Sequence, residues 1–505
     1  MKHMKKLVSV LLTMVMVFAM TATVFAEETT YSITINNSAE GHTYEAYQIF
    51  AGDLSNGVLS NIVWGSGVSE TGRTALGDAA AKAETLKTEA DAKAFAKAVA
   101  PYLTTAAGST NTVTEGKYVI SSLAAGYYLV KDQNGSLANK DDAYTSYILQ
   151  VVENTEVSPK SAKPTVDKQV HDETGDAEAG ATDGWGESAD HAINESFQFK
   201  LIANLPADTD FAAYTTYKVV FTDTMSDGVT FESIASVTVD GVTLTDDQYT
   251  ATATAGQVGG NWTLTIDDIK SINGVNLSDG ADIVVIYNAH LNENAQVNHA
   301  TGTTTNENTV NLQYSNNPNA SGAGELGKTP DDSVWVFTYE VDNTKVDGTG
   351  EKKPPLSGAG FKLYDSTGTT EIGLIYDSNI SAYRPVKADE TVVEMKSAAD
   401  GKFIIKGLDA GTYVLKETTV PAGYNKCADV TVVIKATHVE AADGNSATTT
   451  LSNDSNVTNE IENKQGSTLP ETGGMGTTIF YVLGSILVLG AAVLLITRKR
   501  MGAQR

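Results

Sequence analysis

The sequence predicts an all-β chain, a tandem of antiparallel β-sandwiches, and three observations carry that expectation. Segments such as Asn308, Val310, Leu312 and Tyr314 repeat with the two-residue period of a strand that buries one face. The Thr-, Val- and Tyr-rich runs are divided by Asp-Gly, Asn-Gly and Gly-Gly pairs, which suit tight turns between strands. Two polar breaks bearing Pro and Gly, Ser158 to Pro164 and Ser315 to Asp332, cut the strands into three bodies.

Taken in order, the chain opens with Lys2, Lys5 and Lys6, the apolar stretch Leu7 to Met20 and the small-residue end Ala22 to Ala26, the layout of a secretory signal peptide over 1–26. The exported part then begins near Glu27, with bodies at 27–160, 161–325 and 326–466. The Ala- and Lys-rich segment from Thr74 to Leu103 is the exception to the strand pattern and predicts a surface helix on the first body. Residues 467–505 hold Leu469, Pro470, Glu471, Thr472 and Gly473, an apolar run from Ile479 to Thr497 long enough to span a bilayer, and the basic tail Arg498, Lys499 and Arg500.

Composition narrows the function classes. A formal charge of -27 over 505 residues argues against nucleic acid or an anionic membrane as partner. One cysteine, Cys427, allows no intramolecular disulfide, so something else must hold exported sandwiches together. The seven histidines form no HExxH pair, and no GxSxG elbow or Walker loop occurs, so neither a hydrolase, a metal nor a cofactor is called for.

Strand parity places charges where apolar residues belong. In the third body, continuing the phase of Trp335, Phe337, Tyr339 and Val341 brings Lys345 inward; Glu417 is in phase with Tyr413 and Leu415, and Val457, Asn459, Ile461 and Asn463 share a face. An unpaired ammonium or carboxylate costs several kcal/mol in such a core, so these groups must neutralise, pair or react. Desolvation lowers a lysine pKa and raises a glutamate pKa, leaving a nucleophilic amine beside a protonated acid. If Glu417 polarises the Asn463 amide, Lys345 can attack its carbonyl carbon, expel ammonia and leave an isopeptide bond.

These residues reach known families. Lys345-Val346-Asp347, Leu356 to Tyr364, Gly411 to Thr418 and Pro421-Ala422-Gly423-Tyr424 resemble the CnaB-type domain of Gram-positive pilins and adhesins, an Ig-like sandwich. The resemblance implies Lys345 as nucleophile, Glu417 as catalytic acid and Asn463 as acceptor, with Asn459 the rival acceptor. The stretch Val220 to Phe231 is similar to the CnaA-type pilin domain, which implies Lys168, Asp223 and Asn308 for a second bond. Parity agrees with these positions but leaves Glu195, in phase with Phe197, Phe199 and Leu201, as a competing acid. The first body has a related segment, Gly126 to Asp132, without the glutamate, and no crosslink is expected there.

The order of Leu469-Pro470-Glu471-Thr472-Gly473, apolar span and basic tail resembles the cell-wall sorting signal of Gram-positive surface proteins. That resemblance implies cleavage by a sortase between Thr472 and Gly473, with the Thr472 acyl group passed to an amine. Val157-Ser158-Pro159-Lys160 is similar to the pilin motif of backbone pilins, with Ser158 in place of the usual aromatic residue, and implies Lys160 as that amine; Lys163 is the nearest substitute. The expectation is a major pilin, a structural subunit and not an enzyme with turnover. Its implied partners are a pilin-type sortase, identical subunits joined head to tail, minor tip and base pilins, and peptidoglycan through a housekeeping sortase. The alternative is a single wall-anchored adhesin or minor pilin that binds a host receptor.

Overall fold

The computed structural model describes residues 30–501 except 56–57, 146–147, 152–153, 160–162, 173–183, 208–210, 212–213, 278–279, 299–300, 303–305, 321–323, 443, 445 and 467–475. The signal peptide, the pentapeptide Leu469 to Gly473 and Lys160 therefore lie outside the described residues.

In the first body a sheet of Tyr31–Asn36, Lys117–Leu123, Val113–Thr114 and Thr155–Val157 packs on one face of a second sheet built around Tyr44–Ser55 and Gly126–Asp132. Tyr44, Ala46, Tyr128 and Val130 fill the space between the sheets, while Tyr47, Ile49 and Leu129 point the other way onto helices that carry Phe95, Ala96 and Val99. The second sheet is thus buried on both faces. The single helix expected from Thr74 to Leu103 is instead three short helices, Glu70–Leu76, Ala79–Glu84 and Glu89–Val99. Each has its own N-cap, from Ser69, Asp78 and Thr88, the last in a capping box with Asp91. The side chains that stop each helix compete with continuation, and alanine content alone does not show them.

The middle body is organised by one 21-residue strand, Val219–Val239. Its first part, Val219 to Met225, pairs with Val258–Ile266 and Asn306–Ser315; its later part, from Val229, pairs with Ala281–Leu291. The register breaks between Met225 and Thr230, so one strand passes from sheet to sheet. Ala281–Leu291 continues through Ser196–Leu205 to Thr165–His171, which packs against Asn306–Ser315.

The third body is a sandwich of a sheet centred on Tyr339–Asp347, Lys402–Leu408 and Thr458–Asn463 and another of Gly360–Tyr364, Gly411–Thr419 and Val430–Ile434. Strand Asp332–Phe337, assigned by its sequence position to the third body, hydrogen-bonds instead to Asn306–Ser315 and Ser188–Asp190 of the middle one. Val334 and Val336 enter the middle core, whereas Trp335 and Phe337 enter the third. A hydrophobic run with both faces buried gives no alternation from which to draw a boundary at 325. The loop around Leu137 to Thr145 docks the first body on the middle one, with Asn316 Nδ2 donating to the Leu137 and Asp142 carbonyls at 3.0 Å each. Beyond the sheets, Gly476–Met501 is one helix whose segment Ile479–Arg500 is apolar and long enough to cross a membrane.

Candidate functional site

Two groups of buried polar side chains sit inside the middle and third sandwiches. In the middle one Lys168, Asp223 and Asn308 are fully buried. Asp223 lies opposite Val310 and Met225 opposite Asn308, so acid and amide are diagonal neighbours on one sheet. Lys168 reaches them from the other sheet, where it pairs with Leu201. Its Nζ donates to Asp223 Oδ2 and lies 3.5 Å from the Tyr287 hydroxyl. Trp262 Nε1 donates to Asp223 Oδ1 at 3.1 Å, and the Tyr287 hydroxyl stands 3.2 Å from both Asp223 oxygens. Asn308 Nδ2 donates to that same hydroxyl at 2.5 Å, while Asn308 Oδ1 has no hydrogen-bond partner among the described residues.

The surroundings are aromatic. The Lys168 amine lies 5.2 Å from the centre of the Phe199 ring, and Tyr287 packs between Phe199, Phe231 and Trp262. Burial pulls the Lys168 pKa below the ordinary lysine value, and burial pushes the Asp223 carboxyl above the usual carboxylate range, each against the pull of its partner's charge. Both shifts favour an amine that has handed its proton to the acid.

The third sandwich divides the same groups differently. Lys345 and Asn463 occupy adjacent parallel strands of one sheet, with Lys345 opposite Ile461 and Asp347 opposite Asn463. Lys345 Nζ donates to Asn463 Oδ1 at 2.6 Å and to the Ile461 carbonyl at 3.2 Å. Glu417 projects from the facing sheet: Asn463 Nδ2 donates to its Oε1 at 2.7 Å, and the Lys345 amine is 4.0 Å from that oxygen. The backbone N–H of Cys427 donates to Glu417 Oε2 at 2.9 Å, fixing the carboxyl from behind. Burial lowers the Lys345 pKa. In each sandwich, then, an amine with weakened basicity, a carboxyl and a carboxamide lie together in the buried interior.

The competing residues are elsewhere. Glu195 is exposed, and its Oε2 accepts from the Ala192 N–H at 3.0 Å. Asn459 is opposite Asn343, not Lys345, and donates to Asn343 Oδ1 at 3.2 Å. In the first body Lys131 Nζ meets the Asp132 carbonyl at 2.9 Å and Glu45 at 3.4 Å. Lys163 is exposed and paired with Asp141. Sequence reasoning missed Tyr287, Trp262 and the Cys427 N–H. Tyr287 shares its phase with Ile283, Val285 and Ala289, all buried, and so reads as one more core aromatic.

Comparison with known proteins fits this architecture. Residues 340–464 match the family model of a prealbumin-like fold domain, and 461–501 match that of the LPXTG cell wall anchor motif. The chain is 26% identical over 457 residues to the trypsin-resistant surface T6 protein of Streptococcus pyogenes serotype M6, covering 77% of each. Among solved structures it is similar to the T6 backbone pilin of serotype M6 Streptococcus pyogenes, with a TM-score of 0.54 and 19% identity, covering 88% of this chain and 100% of that one. It is also similar to the full-length major pilin SpaD of Corynebacterium diphtheriae, with a TM-score of 0.50 and 18% identity, covering 87% and 98%. A matched LPXTG anchor, a membrane-length apolar helix behind it and three sheet-built bodies ahead of it make this chain a cell-wall-anchored surface protein on the fold of the backbone pilins.

Proposed function

We propose that the chain is the shaft-forming subunit of a covalent surface pilus, in which a sortase joins Thr472 of one copy to Lys160 of the next, and that each subunit closes two internal bonds, Lys168 to Asn308 and Lys345 to Asn463. The observation that carries the internal chemistry is the Lys345 amine, held 2.6 Å from the oxygen of an amide whose nitrogen hydrogen-bonds Glu417. A charged lysine there faces Glu417 Oε1 only at 4.0 Å while burial opposes its charge, whereas a neutral one has an electrophile in reach.

The steps balance without any cofactor. The neutral amine adds to the Asn463 carbonyl carbon, Glu417 carries one proton from Lys345 Nζ to Asn463 Nδ2, and the carbon–nitrogen bond of the amide breaks to release ammonia. Glu417 regains its starting protonation state, and no second turnover is possible. Asp223 serves Lys168 and Asn308 in the middle sandwich.

The head-to-tail link rests on the anchor motif and on the place of Lys160, between the last strand of the first body, Thr155–Val157, and Thr165–His171 of the middle one. An amine in a connection between bodies is accessible to an acyl-enzyme. The test is a cell-wall extract of the native host: wild type gives a ladder of very high mass, and Lys160→Ala collapses it to anchored monomer. A ladder that survives Lys160→Ala rules out this acceptor.

A further inference from the structure

The two sandwiches differ in how the acid meets the amide, and the difference assigns a task to a residue with no acidic function of its own. In the third body the amide nitrogen touches the carboxyl directly, Asn463 Nδ2 to Glu417 Oε1 at 2.7 Å. In the middle body the Asn308 nitrogen donates to the Tyr287 hydroxyl, and it is that hydroxyl which stands against both Asp223 oxygens. Asn308 Oδ1, with no partner among the described residues, receives no hydrogen bond that would polarise the carbonyl. The activating contact that the described residues supply falls on the departing nitrogen.

Building on the crosslinking reading above, we infer that Tyr287 is a catalytic residue of the middle sandwich, a phenol relay that carries the proton from Asp223 to the leaving amide of Asn308. Lys168 Nζ bonds to Asn308 Cγ and gives up one proton to Asp223. Asp223 passes its proton to the Tyr287 oxygen, and Tyr287 delivers its own proton to Nδ2. The Cγ–Nδ2 bond breaks, ammonia leaves, and both Asp223 and Tyr287 end as they began. Every transfer runs along a contact present in the structure: Lys168 to Asp223, Tyr287 to Asp223, and Asn308 to Tyr287. The hydroxyl is fully buried and ringed by Phe199, Phe231 and Trp262, which shields the transfer from bulk solvent. Burial and the Asp223 charge both resist phenolate formation, which suits a group that passes protons without ionising.

The experiment compares Tyr287→Phe with Phe231→Leu in the full chain, purified in detergent, with intact mass and peptide mapping followed over time. Tyr287→Phe keeps the ring and removes the relay; Phe231→Leu disturbs the aromatic packing around Tyr287 but leaves the relay hydroxyl in place. The expected result is a mapped Lys345–Asn463 bond in all three chains, and a Lys168–Asn308 bond complete in wild type and in Phe231→Leu but slowed about 100-fold or more in Tyr287→Phe. Wild-type rates in Tyr287→Phe overturn the relay. Equal slowing in both variants also overturns it, because the loss is then one of aromatic packing. A wild type that never forms the middle bond instead removes the crosslinking reading for that sandwich, a failure separate from that of the relay.

Discussion

Replacing Glu417 with glutamine tests whether the third sandwich is held by a bond or by packing alone. Glutamine has nearly the same volume and can still accept the Cys427 N–H, but it cannot shuttle a proton between Lys345 and Asn463. The bond at stake would join residues 118 positions apart. A crosslink enclosing a loop of that length removes unfolded-state entropy worth about 5 kcal/mol in the chain-entropy treatment. For a body of this size each kcal/mol moves the melting temperature by about 3 to 5 °C, so the third body should melt about 15 to 25 °C lower in Glu417→Gln. Intact mass of residues 27–472 should show wild type lighter than its sequence by two ammonia molecules and the variant by one, and calorimetry should assign the lost stability to the third body. Loss of two ammonia molecules in the variant would refute the role of the acid. A missing bond with an unmoved melting temperature would refute the entropic argument.

Three further outcomes are expected. Asp223→Asn should leave the middle bond unformed while Glu195→Gln leaves it intact, because Glu195 is exposed at a turn; peptide mapping reads both. In the first body, burial alone would lower the His42 pKa, but hydrogen bonds to Asp132 and Asp142 outweigh it and hold the value at about 9 against 6.5 for the free side chain. The folded state therefore binds this proton more tightly, and its stabilisation is full below pH 6.5 and lost as pH rises through about 9. The melting difference between wild type and His42→Gln should shrink across that window, and a constant difference would contradict it. Gly407 has φ +84°, its carbonyl accepts the Ile193 N–H, and an added Cβ would sit 2.4 Å from Ile193 Cδ1. Gly407→Ala should cost about 2 kcal/mol or more at the seam between the middle and third bodies and separate their calorimetric transitions; a single unshifted transition would contradict this.

Much of the candidate site was legible because a strand's two-residue period makes an inward lysine conspicuous. Lys168, Asp223, Asn308, Lys345, Glu417 and Asn463 all fall on buried faces by parity, and all are buried. Parity is local, however, and says nothing about which strand faces which. It could not tell Asp223 from Glu195, since that choice depends on Val219–Val239 crossing between sheets. Nor could it single out Tyr287, whose ring does what any core aromatic does while only its hydroxyl is unusual. The helical segment was misjudged in length because capping by Asp78 and Thr88 outweighs the helix propensity of the alanines around them. The pairing of the segment after 325 was hidden for the opposite reason, a run from Val334 to Phe337 with both faces apolar.

That strand, Asp332–Phe337, has a consequence for tension. If the proposed link through Lys160 and Thr472 and both proposed internal bonds form, a pull along the fibre would enter along Thr165–His171, leave the backbone at Lys168 and rejoin it at Asn308. It then runs through Asp332–Phe337 to Lys345, crosses to Asn463 and exits. Most of both sandwiches is bypassed, as is the whole first body. The stretch from Asn308 to Lys345 remains the load path's long uncrosslinked span, and Asp332–Phe337 is its middle. With Val334 and Val336 gripped by one core and Trp335 and Phe337 by the other, extension there must shear two hydrophobic interfaces and two ladders at once. The two bodies should accordingly yield together, as one stiff element, and not one after the other like beads on a string.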